Sequence, residues 1–328
     1  MIRFLSGTPH EEANLIPAVR RASSAAASVL PLGLRKRAVR RVGLHWYGRE
    51  RLLQELTVAR PLMFSRGTVV HHLYAEESYR FGGYLPRLRG NALIGTFHQP
   101  PSRFRDFVPR AAHLRRLDAV IAVARNQAEF LRTLVEERRV FFVPHGVDVD
   151  FFTPAPEPPR EFRCLFVGYW MRDFAVLREL IALLVPRGVR FDLVLTPGKA
   201  RIFSGAEGVD VHSGIGEDDL LAVYRRASML VLPLLDGTSN NALLEAMACG
   251  LPVVTTDVGG VRDYCDASHC VLVPPGEVEG FCEAIVRLAG AEGLRRKMGI
   301  EARRQAVARF DWKVVTAEIV DVYRQILG

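Results

Sequence analysis

Short apolar runs rich in Val, Ile, Leu and Phe alternate along the chain with longer stretches of helical periodicity. This alternation is typical of parallel β-sheets with helices packed on both faces. Helices are predicted most clearly at residues 127–137, 218–227 and 312–327. The predicted strands are residues 2–5, 68–73, 92–97, 118–123, 140–143, 163–167, 191–195, 209–211, 229–233, 252–255 and 270–273.

The alternation is interrupted once, at residues 153–159, where the sequence TPAPEPP has four prolines in seven residues. We interpret this segment as a linker, because the pattern of strands and helices restarts after it. The chain is therefore predicted to fold as two Rossmann-like, doubly wound domains. Residues 1–153 form the first, with the terminal helix 312–328 packing back on it, and residues 160–311 form the second. Ligands of such sheets bind at the carboxyl ends of the strands, so we expect a cleft there.

The net charge of +8 is unevenly distributed along the 328 residues. Residues 1–150 contain 24 Lys and Arg against 13 Asp and Glu, whereas the remainder contains 20 against 23. Arginines and apolar residues are interleaved between residues 20 and 51, which suits either a solvated helix face or docking on anionic lipid headgroups. No nucleic-acid-binding motif accompanies the charge, so a nucleic-acid partner is not expected.

Two further classes of protein are disfavoured by the sequence. No apolar run approaches the roughly 18–20 residues that span a bilayer, and no secretory signal is recognisable, so we expect a cytoplasmic location, with peripheral binding to the membrane as an option. The cysteines are odd in number and scattered through apolar segments, which predicts reduced core thiols and no metal site. They are Cys164, Cys249, Cys265, Cys270 and Cys282.

The most informative segment is LPLLDGTSNNALLEAMACGLPVVTTDVGG, residues 232–260. A buried strand, a small polar loop and a helix follow one another here, so the backbone amides of Ser239, Asn240 and Asn241 are predicted to form an anion site for a diphosphate. Glu245 lies in that helix, where its carboxylate suits the hydroxyls of a ribose. The alternative interpretation is that Asn240 merely caps the helix and Glu245 is a surface residue.

The segment LEAMACGLPVV, residues 244–254, resembles the hallmark of glycosyltransferase family 4, the retaining group with the GT-B fold. The resemblance extends from about Thr68 to the end of the chain and gives Glu245 the ribose-binding role. The family has another Glu eight residues earlier, where this chain has Gly237 beside Asp236. Asp236 or Asn240 is therefore expected to replace that Glu at the sugar.

Weaker similarities support the same assignment. VPHGVDVDFFTP, residues 143–154, looks like the end of the family's first domain and places Gly146 in a sharp turn. In FVGYWMRDFAVL, residues 166–177, Gly168 and Arg172 match the family's diphosphate-binding positions, but Tyr169 replaces an arginine. Lys199 is the candidate for the second cation at the diphosphate.

In the first domain, GTFHQPP places His98 at the end of a strand, where the family has a His near the donor sugar. His71, His72 and Glu76 lie at the end of another predicted strand and are weaker candidates. The family's glycine-rich loop after the first strand is not recognisable at Gly7-Thr8-Pro9.

The resemblance implies a retaining glycosyltransferase that moves a sugar from a nucleotide-sugar donor to a hydroxyl acceptor. The acceptor would be a lipid-linked or polysaccharide precursor. His98, Arg172 and Asp236 would be catalytic, and neither a metal nor another cofactor is required. The alternatives are a nucleotide-sugar epimerase, an inactive sugar-nucleotide-binding partner protein, and a basic scaffold for nucleic acid or membrane.

Overall fold

A computed structural model describes residues 2–5, 49–159 and 161–328 of the chain. The described chain divides into two compact units. Unit 1 comprises Met1–Val143 and Glu318–Gly328, and unit 2 comprises Pro144–Ala317. Most of the basic segment at residues 20–51 and the loop at residues 7–9 lie outside the described residues.

Unit 1 is built on a parallel sheet whose strands are adjacent in the order β1-β2-β3-β4-β5. The strands are β1 Ile2–Leu5, β2 Val69–His72, β3 Ala92–Phe97, β4 Ala119–Ala122 and β5 Val140–Phe142. β2, β3 and β4 are buried along their whole length, as expected for central strands covered on both faces. The α-helices described in this unit are Arg49–Ala59, Pro61–Phe64, Ala75–Ser78, Pro101–Phe107 and Arg125–Arg132.

Unit 2 has a six-stranded parallel sheet in the order β11-β10-β9-β6-β7-β8. The strands are β6 Arg163–Val167, β7 Arg190–Val194, β8 Val209–His212, β9 Met229–Leu232, β10 Val253–Thr256 and β11 Cys270–Val273. Its α-helices are Phe174–Leu184, Pro197–Ala200, Glu217–Arg226, Asn241–Ala248, Val278–Gly290 and Glu292–Gln305, followed by the long helix Trp312–Leu327, which ends in unit 1.

The strand order of unit 2 reverses between β6 and β9. The chain runs outward from β6 through β7 to β8, and then returns to place β9 on the other side of β6. The connections on either side of this reversal leave the sheet in opposite directions, so they open a crevice at the carboxyl ends of β6 and β9. The fold therefore indicates where a ligand of unit 2 should bind.

The predicted fold class is confirmed: both units are parallel α/β sheets of the Rossmann type. Each of the predicted strands is present, with ends that agree to within about one residue. The helix predicted at residues 127–137 was too long, because it ends at Arg132. Thr133 follows it, and the Thr133 hydroxyl donates to the Phe130 carbonyl at 2.7 Å, which satisfies a helix-end acceptor and tightens the last turn.

The proline-rich segment at residues 153–159 begins on the surface of unit 2. Arg225 donates through Nε to the Thr153 carbonyl at 3.1 Å, and Arg303 donates to the Phe152 carbonyl at 2.8 Å. The change from unit 1 to unit 2 lies upstream, between Val143 and Pro144.

The interior of each unit is apolar, and all five cysteines are buried and free, as the sequence predicts. Among the described residues, no helix is long and apolar enough to cross a membrane. The same part of the chain contains no group of three or more His, Cys, Asp or Glu placed to hold a metal ion.

Candidate functional site: the switch point of unit 2

Arg172 connects the two strands that flank the reversal in unit 2. It follows β6, and its guanidinium donates to the Val167 carbonyl at 2.9 Å and to the Trp170 carbonyl at 3.0 Å. A third bond runs from Nη2 to Asn240 Oδ1, in the loop after β9, at 3.2 Å. The predicted site residues Arg172 and Asn240 are thus in direct contact, although 68 positions separate them in sequence.

The Arg172 side chain is partly buried. Burial lowers the pKa of Arg172 to about 10, although electrostatic interactions with Tyr224 and Glu245 raise it. Arg172 is therefore still a cation at neutral pH, and a partly desolvated cation attracts an anionic ligand more strongly than one in water.

Gly168 makes room for this cation. Its backbone has a φ of +98°, and a Cβ atom built there would lie 2.8 Å from Arg172 Nη2. A side chain at position 168 would therefore be strained and would also displace the guanidinium. The sequence prediction that Gly168 belongs to the site is consistent with this contact, which acts through Arg172.

The backbone around Arg172 is held in an unusual conformation. Met171 has a φ of 55°, a value that non-glycine residues seldom adopt. The segment is fixed by two bonds to the chain after β9, from Leu235 N–H to the Met171 carbonyl and from Asp173 N–H to the Pro233 carbonyl, each 2.9 Å long. A strained backbone persists only where the surrounding structure holds it in place, and such residues cluster at functional sites.

Helix Asn241–Ala248 begins beside Arg172. Asn240 is its N-cap, and Asn240 Oδ1 accepts from the Leu243 N–H at 3.4 Å as well as from Arg172. The interpretation of Asn240 as a cap is therefore confirmed, and the same oxygen also positions the cation. The first N–H groups of a helix have no partner within it, so the start of this helix presents donors and a positive dipole end next to Arg172.

Glu245 projects from the second turn of the same helix and is partly buried. The Tyr224 hydroxyl donates to Glu245 Oε2 at 2.7 Å. Burial raises the pKa of Glu245, whereas the Tyr224 hydrogen bond and the charge of Arg172 lower it. The alternative of a solvated surface glutamate is wrong, because this carboxyl is held by a buried tyrosine.

Asp236 and Gly237 form the turn that replaces the family's first acidic position. Asp236 Oδ1 accepts from the Gly237 N–H at 2.7 Å, and the Gly237 carbonyl accepts from the Gly260 N–H at 2.9 Å. A Cβ at Gly259 would lie 2.0 Å from the Gly237 carbonyl oxygen and 2.6 Å from Asp236 Oδ1. The Gly259-Gly260 pair therefore lets the chain after β10 support this turn, and one Asp236 oxygen is engaged in forming it.

Two other predicted site residues of unit 2, Lys199 and Gly146, are not in contact with Arg172 in any interaction described for them. Lys199 lies after β7, the neighbour of β6, and its ammonium is 4.8 Å from the centre of the Phe174 ring. Phe174 follows Arg172 by two residues, so Lys199 is near the same edge of the sheet. Gly146 packs under Trp312, and a Cβ there would lie 2.5 Å from the indole ring. The structure gives Gly146 a packing role.

In unit 1, His98 lies at the carboxyl end of β3, as predicted from its position after the apolar run. Its backbone N–H donates to Glu76 Oε1 at 2.9 Å, and its ring stacks on Tyr74 with 4.2 Å between the ring centres. The imidazole is partly exposed, with 15% of the side chain accessible, whereas the Glu76 side chain is fully buried. Glu76 thus fixes the backbone that carries His98.

Glu76 is unusual because its carboxyl group is buried with few interactions that would stabilise the ionised form. Burial raises its pKa to about 7, and Oε2 has no hydrogen-bond partner among the described residues. His71 and His72, at the end of β2, are also buried, which lowers the pKa of each imidazole to about 3. Both histidines are neutral at pH 7, and His71 contacts the Tyr323 hydroxyl at 2.7 Å and the Thr96 hydroxyl at 2.7 Å.

Sequence reasoning missed two features of the site. The first is Tyr224, whose contact with Glu245 joins two helices; the only signal was that a buried tyrosine hydroxyl needs a partner. The second is Tyr264, whose hydroxyl accepts from the His145 N–H at 2.9 Å and interacts with the Ser239 side chain. This contact holds the predicted phosphate loop from the side of β10.

Two solved structures share the architecture of the chain. HepE of Anabaena, in complex with UDP, is 13% identical with a TM-score of 0.69, and the match covers 99% of both chains. Sucrose-phosphate synthase of Thermosynechococcus elongatus is 20% identical with a TM-score of 0.64, covering 79% of this chain and 73% of that one. At these identities the likeness shows the fold alone, which is the GT-B class.

Residues 161–290 match the model of the family Glycosyl transferases group 1. Among curated relatives, MMP alpha-(1->4)-mannosyltransferase of Mycolicibacterium hassiacum is 25% identical, covering 73% of this chain and 66% of its own length. Phosphatidyl-myo-inositol mannosyltransferase of Mycobacterium leprae is 30% identical, covering 56% and 53%. The matches span less than two thirds of both relatives.

The buried Glu76 carboxyl predicts a pH-dependent cost to stability. Between pH 4.5 and about 7 the unfolded state loses this proton while the folded state keeps it, so rising pH disfavours folding. The difference corresponds to about 3 kcal/mol. Because Gln cannot ionise, Glu76→Gln should gain up to that amount relative to the wild type between pH 4.5 and pH 8, measured by urea unfolding.

The matched control is Glu129→Gln, which removes an exposed carboxyl from the same unit. It should leave the pH profile of stability almost unchanged. Parallel profiles for Glu76→Gln and the wild type would show that the Glu76 carboxyl ionises normally in the folded protein.

Proposed function

We propose that this protein transfers a sugar from a nucleoside-diphosphate sugar to a hydroxyl acceptor, with retention of the anomeric configuration. The observation that carries the proposal is the contact between Arg172 and Asn240, which joins a cation to the start of a helix at the switch point of unit 2. It lies within the residues that match the glycosyltransferase family. The HepE structure in complex with UDP supports the choice of a nucleotide donor.

The diphosphate of the donor would bind to Arg172 and to the first N–H groups of helix Asn241–Ala248. A guanidinium and a helix N-terminus are both suited to phosphate oxygens, and here they are adjacent. Ser239 and Lys199 are proposed as additional diphosphate contacts. Glu245 would then receive the hydroxyls of the ribose, because an ionised carboxylate only accepts hydrogen bonds.

Catalysis in this proposal is electrostatic. The bond between the anomeric carbon and the diphosphate oxygen breaks while the acceptor oxygen bonds to the same carbon from the same face. The proton of the acceptor hydroxyl passes to the departing diphosphate. Arg172 and the helix dipole stabilise the negative charge that develops there, so the proposal requires neither a metal nor another cofactor.

Asp236 and His98 complete the proposed set of catalytic residues. Asp236 is proposed to replace the family's first acidic residue at the sugar, from the turn that its Oδ1 stabilises at Gly237. His98 is proposed to contact substrate from unit 1, with its backbone fixed by Glu76. As acceptor we propose a cyclic polyol or a sugar, free or lipid-linked, because two relatives are named for inositol-containing compounds.

A second part of the proposal concerns the opposite, amino-terminal edge of the unit 1 sheet. Phe64 and Tyr84 are 68% and 56% exposed there. The Arg60 guanidinium lies 5.8 Å from the centre of the Phe64 ring, and that of Arg116 lies 5.1 Å from the Tyr84 ring. Exposed aromatic rings beside arginines are typical of surfaces that contact lipid headgroups.

Arginines predominate at this edge, although one of them, Arg87, is paired with Asp118. The segments that precede β2, β3 and β4, at residues 56–68, 81–91 and 107–117, contain seven arginines and neither Asp nor Glu. We propose that this surface binds anionic membranes peripherally, which would bring the enzyme to a lipid-linked acceptor.

The proposed donor chemistry is tested by donor hydrolysis and sugar transfer, measured with UDP-, GDP- and ADP-sugars in the presence of EDTA. Glu245→Ala and Gly168→Ala should each lower turnover about 10- to 100-fold, because they remove the ribose contact and displace Arg172. Gly188→Ala is the matched control: Gly188 has a similar φ of +86°, but a Cβ there meets nothing within 4 Å.

Equal activity in Gly168→Ala and Gly188→Ala would show that the position of Arg172 does not matter. Binding of a nucleotide without any turnover in the wild type would identify the chain as an inactive sugar-nucleotide-binding protein. Interconversion of the donor sugar without an acceptor would identify an epimerase.

Membrane docking is tested by co-sedimentation with vesicles. The wild type should bind vesicles that contain phosphatidylglycerol, release at high salt, and ignore pure phosphatidylcholine. Reversing two exposed charges in Arg66→Glu/Arg89→Glu should weaken binding about tenfold or more, at roughly 1 kcal/mol per cation. The control Arg296→Glu, at an exposed position of unit 2, should bind like the wild type; equal loss in both proteins would contradict a specific surface.

A further inference from the structure

Tyr224 lies in helix Glu217–Arg226, and its side chain is buried in the core of unit 2. Its hydroxyl donates to Glu245 Oε2 at 2.7 Å and lies 3.4 Å from the Ala242 carbonyl, so the single proton is directed at the carboxylate. Glu245 Oε1 takes no part in this bond. One oxygen of the carboxylate is thus held by the protein.

We propose that Tyr224 is a positioning residue that holds one Glu245 oxygen, so that the other is presented to the 2′ and 3′ hydroxyls of the donor ribose. The inference rests on the proposed function, since it concerns the nucleotide of the same donor site. The proposal also predicts a preference of the site: ribonucleotides should bind more tightly than 2′-deoxyribonucleotides. Tyr224 should contribute part of this difference in affinity.

The rigidity of Tyr224 supports this role. Its ring belongs to the apolar core of unit 2 and meets the Phe152 ring nearly at right angles, with 5.8 Å between centres. A glutamate side chain has several rotatable bonds, and its carboxyl would otherwise lose orientation when it binds a ligand. A hydrogen bond from a fixed phenol removes that freedom before the ligand arrives.

The hydrogen bond from Tyr224 also affects the ionisation of Glu245, because burial and nearby charges act on the same carboxyl group. The groups that face it are Arg172 and Tyr224, which favour its ionised form, and Glu217, which disfavours it. The Cys249 thiol follows the end of the same helix, and its pKa is raised by burial first and by the charge of Glu245 second. Since burial raises the pKa of Glu245, loss of the Tyr224 hydroxyl should raise it further and make the carboxylate protonate at a higher pH.

The experiment compares Tyr224→Phe with the wild type in calorimetric titrations with UDP, GDP and ADP and with their 2′-deoxy forms. In the wild type, the nucleotide that binds should do so about tenfold more tightly than its 2′-deoxy form, the effect of one lost hydrogen bond to a charged group. Tyr224→Phe should weaken ribonucleotide binding about five- to tenfold and 2′-deoxynucleotide binding less, because only the 3′ hydroxyl remains to contact Glu245. The acid limb of ribonucleotide binding should also shift to higher pH.

Tyr79→Phe is the matched control, because Tyr79 is a buried tyrosine of unit 1 that donates one hydrogen bond, to the His113 carbonyl at 2.9 Å. It should leave the preference for ribose unchanged. An equal loss of affinity for both sugar forms in Tyr224→Phe, or no loss, would overturn the positioning role. A wild type that binds none of the nucleotides would instead contradict the proposed function.

Discussion

The partly desolvated guanidinium of Arg172 is the constraint on which the site of unit 2 depends. A buried cation is costly unless its donors are satisfied, and Arg172 meets that demand with the Val167 and Trp170 carbonyls and with Asn240 Oδ1. These acceptors come from the ends of β6 and β9. The requirement for hydrogen bonds therefore fixes the two loops relative to each other and leaves the cation ready for an anion.

The strand order determines where Arg172 and Asn240 meet, and glycines leave space for the segments around this contact. Because the order reverses between β6 and β9, their carboxyl ends border a crevice, and both loops of the Arg172 contact start there. Gly168 leaves space for the guanidinium, while Gly259 lets the chain after β10 approach the turn at Gly237. Gly168 is thus explained by the space that the guanidinium needs, and Gly259 by the close approach of two segments that are separate in sequence.

Much of the fold follows from the sequence, since short runs rich in Val, Ile, Leu and Phe predicted each of the described strands. The capped helix after β9 was equally predictable, because Asn240 and the segment around Glu245 carry local signals. The contacts of Tyr224 with Glu245 and of Arg172 with Asn240 were not, since they join residues 21 and 68 positions apart. The burial of Glu76 escaped prediction for the same reason: its neighbours come from several segments of unit 1.

The most direct test of the account is a crystal structure of the protein with a bound nucleoside diphosphate. The account predicts that the diphosphate oxygens lie within hydrogen-bond distance of the Arg172 guanidinium and of the first N–H groups of helix Asn241–Ala248, with both ribose hydroxyls at Glu245. A nucleotide bound at another edge of the unit 2 sheet, or at this edge with its diphosphate away from Arg172, would contradict it.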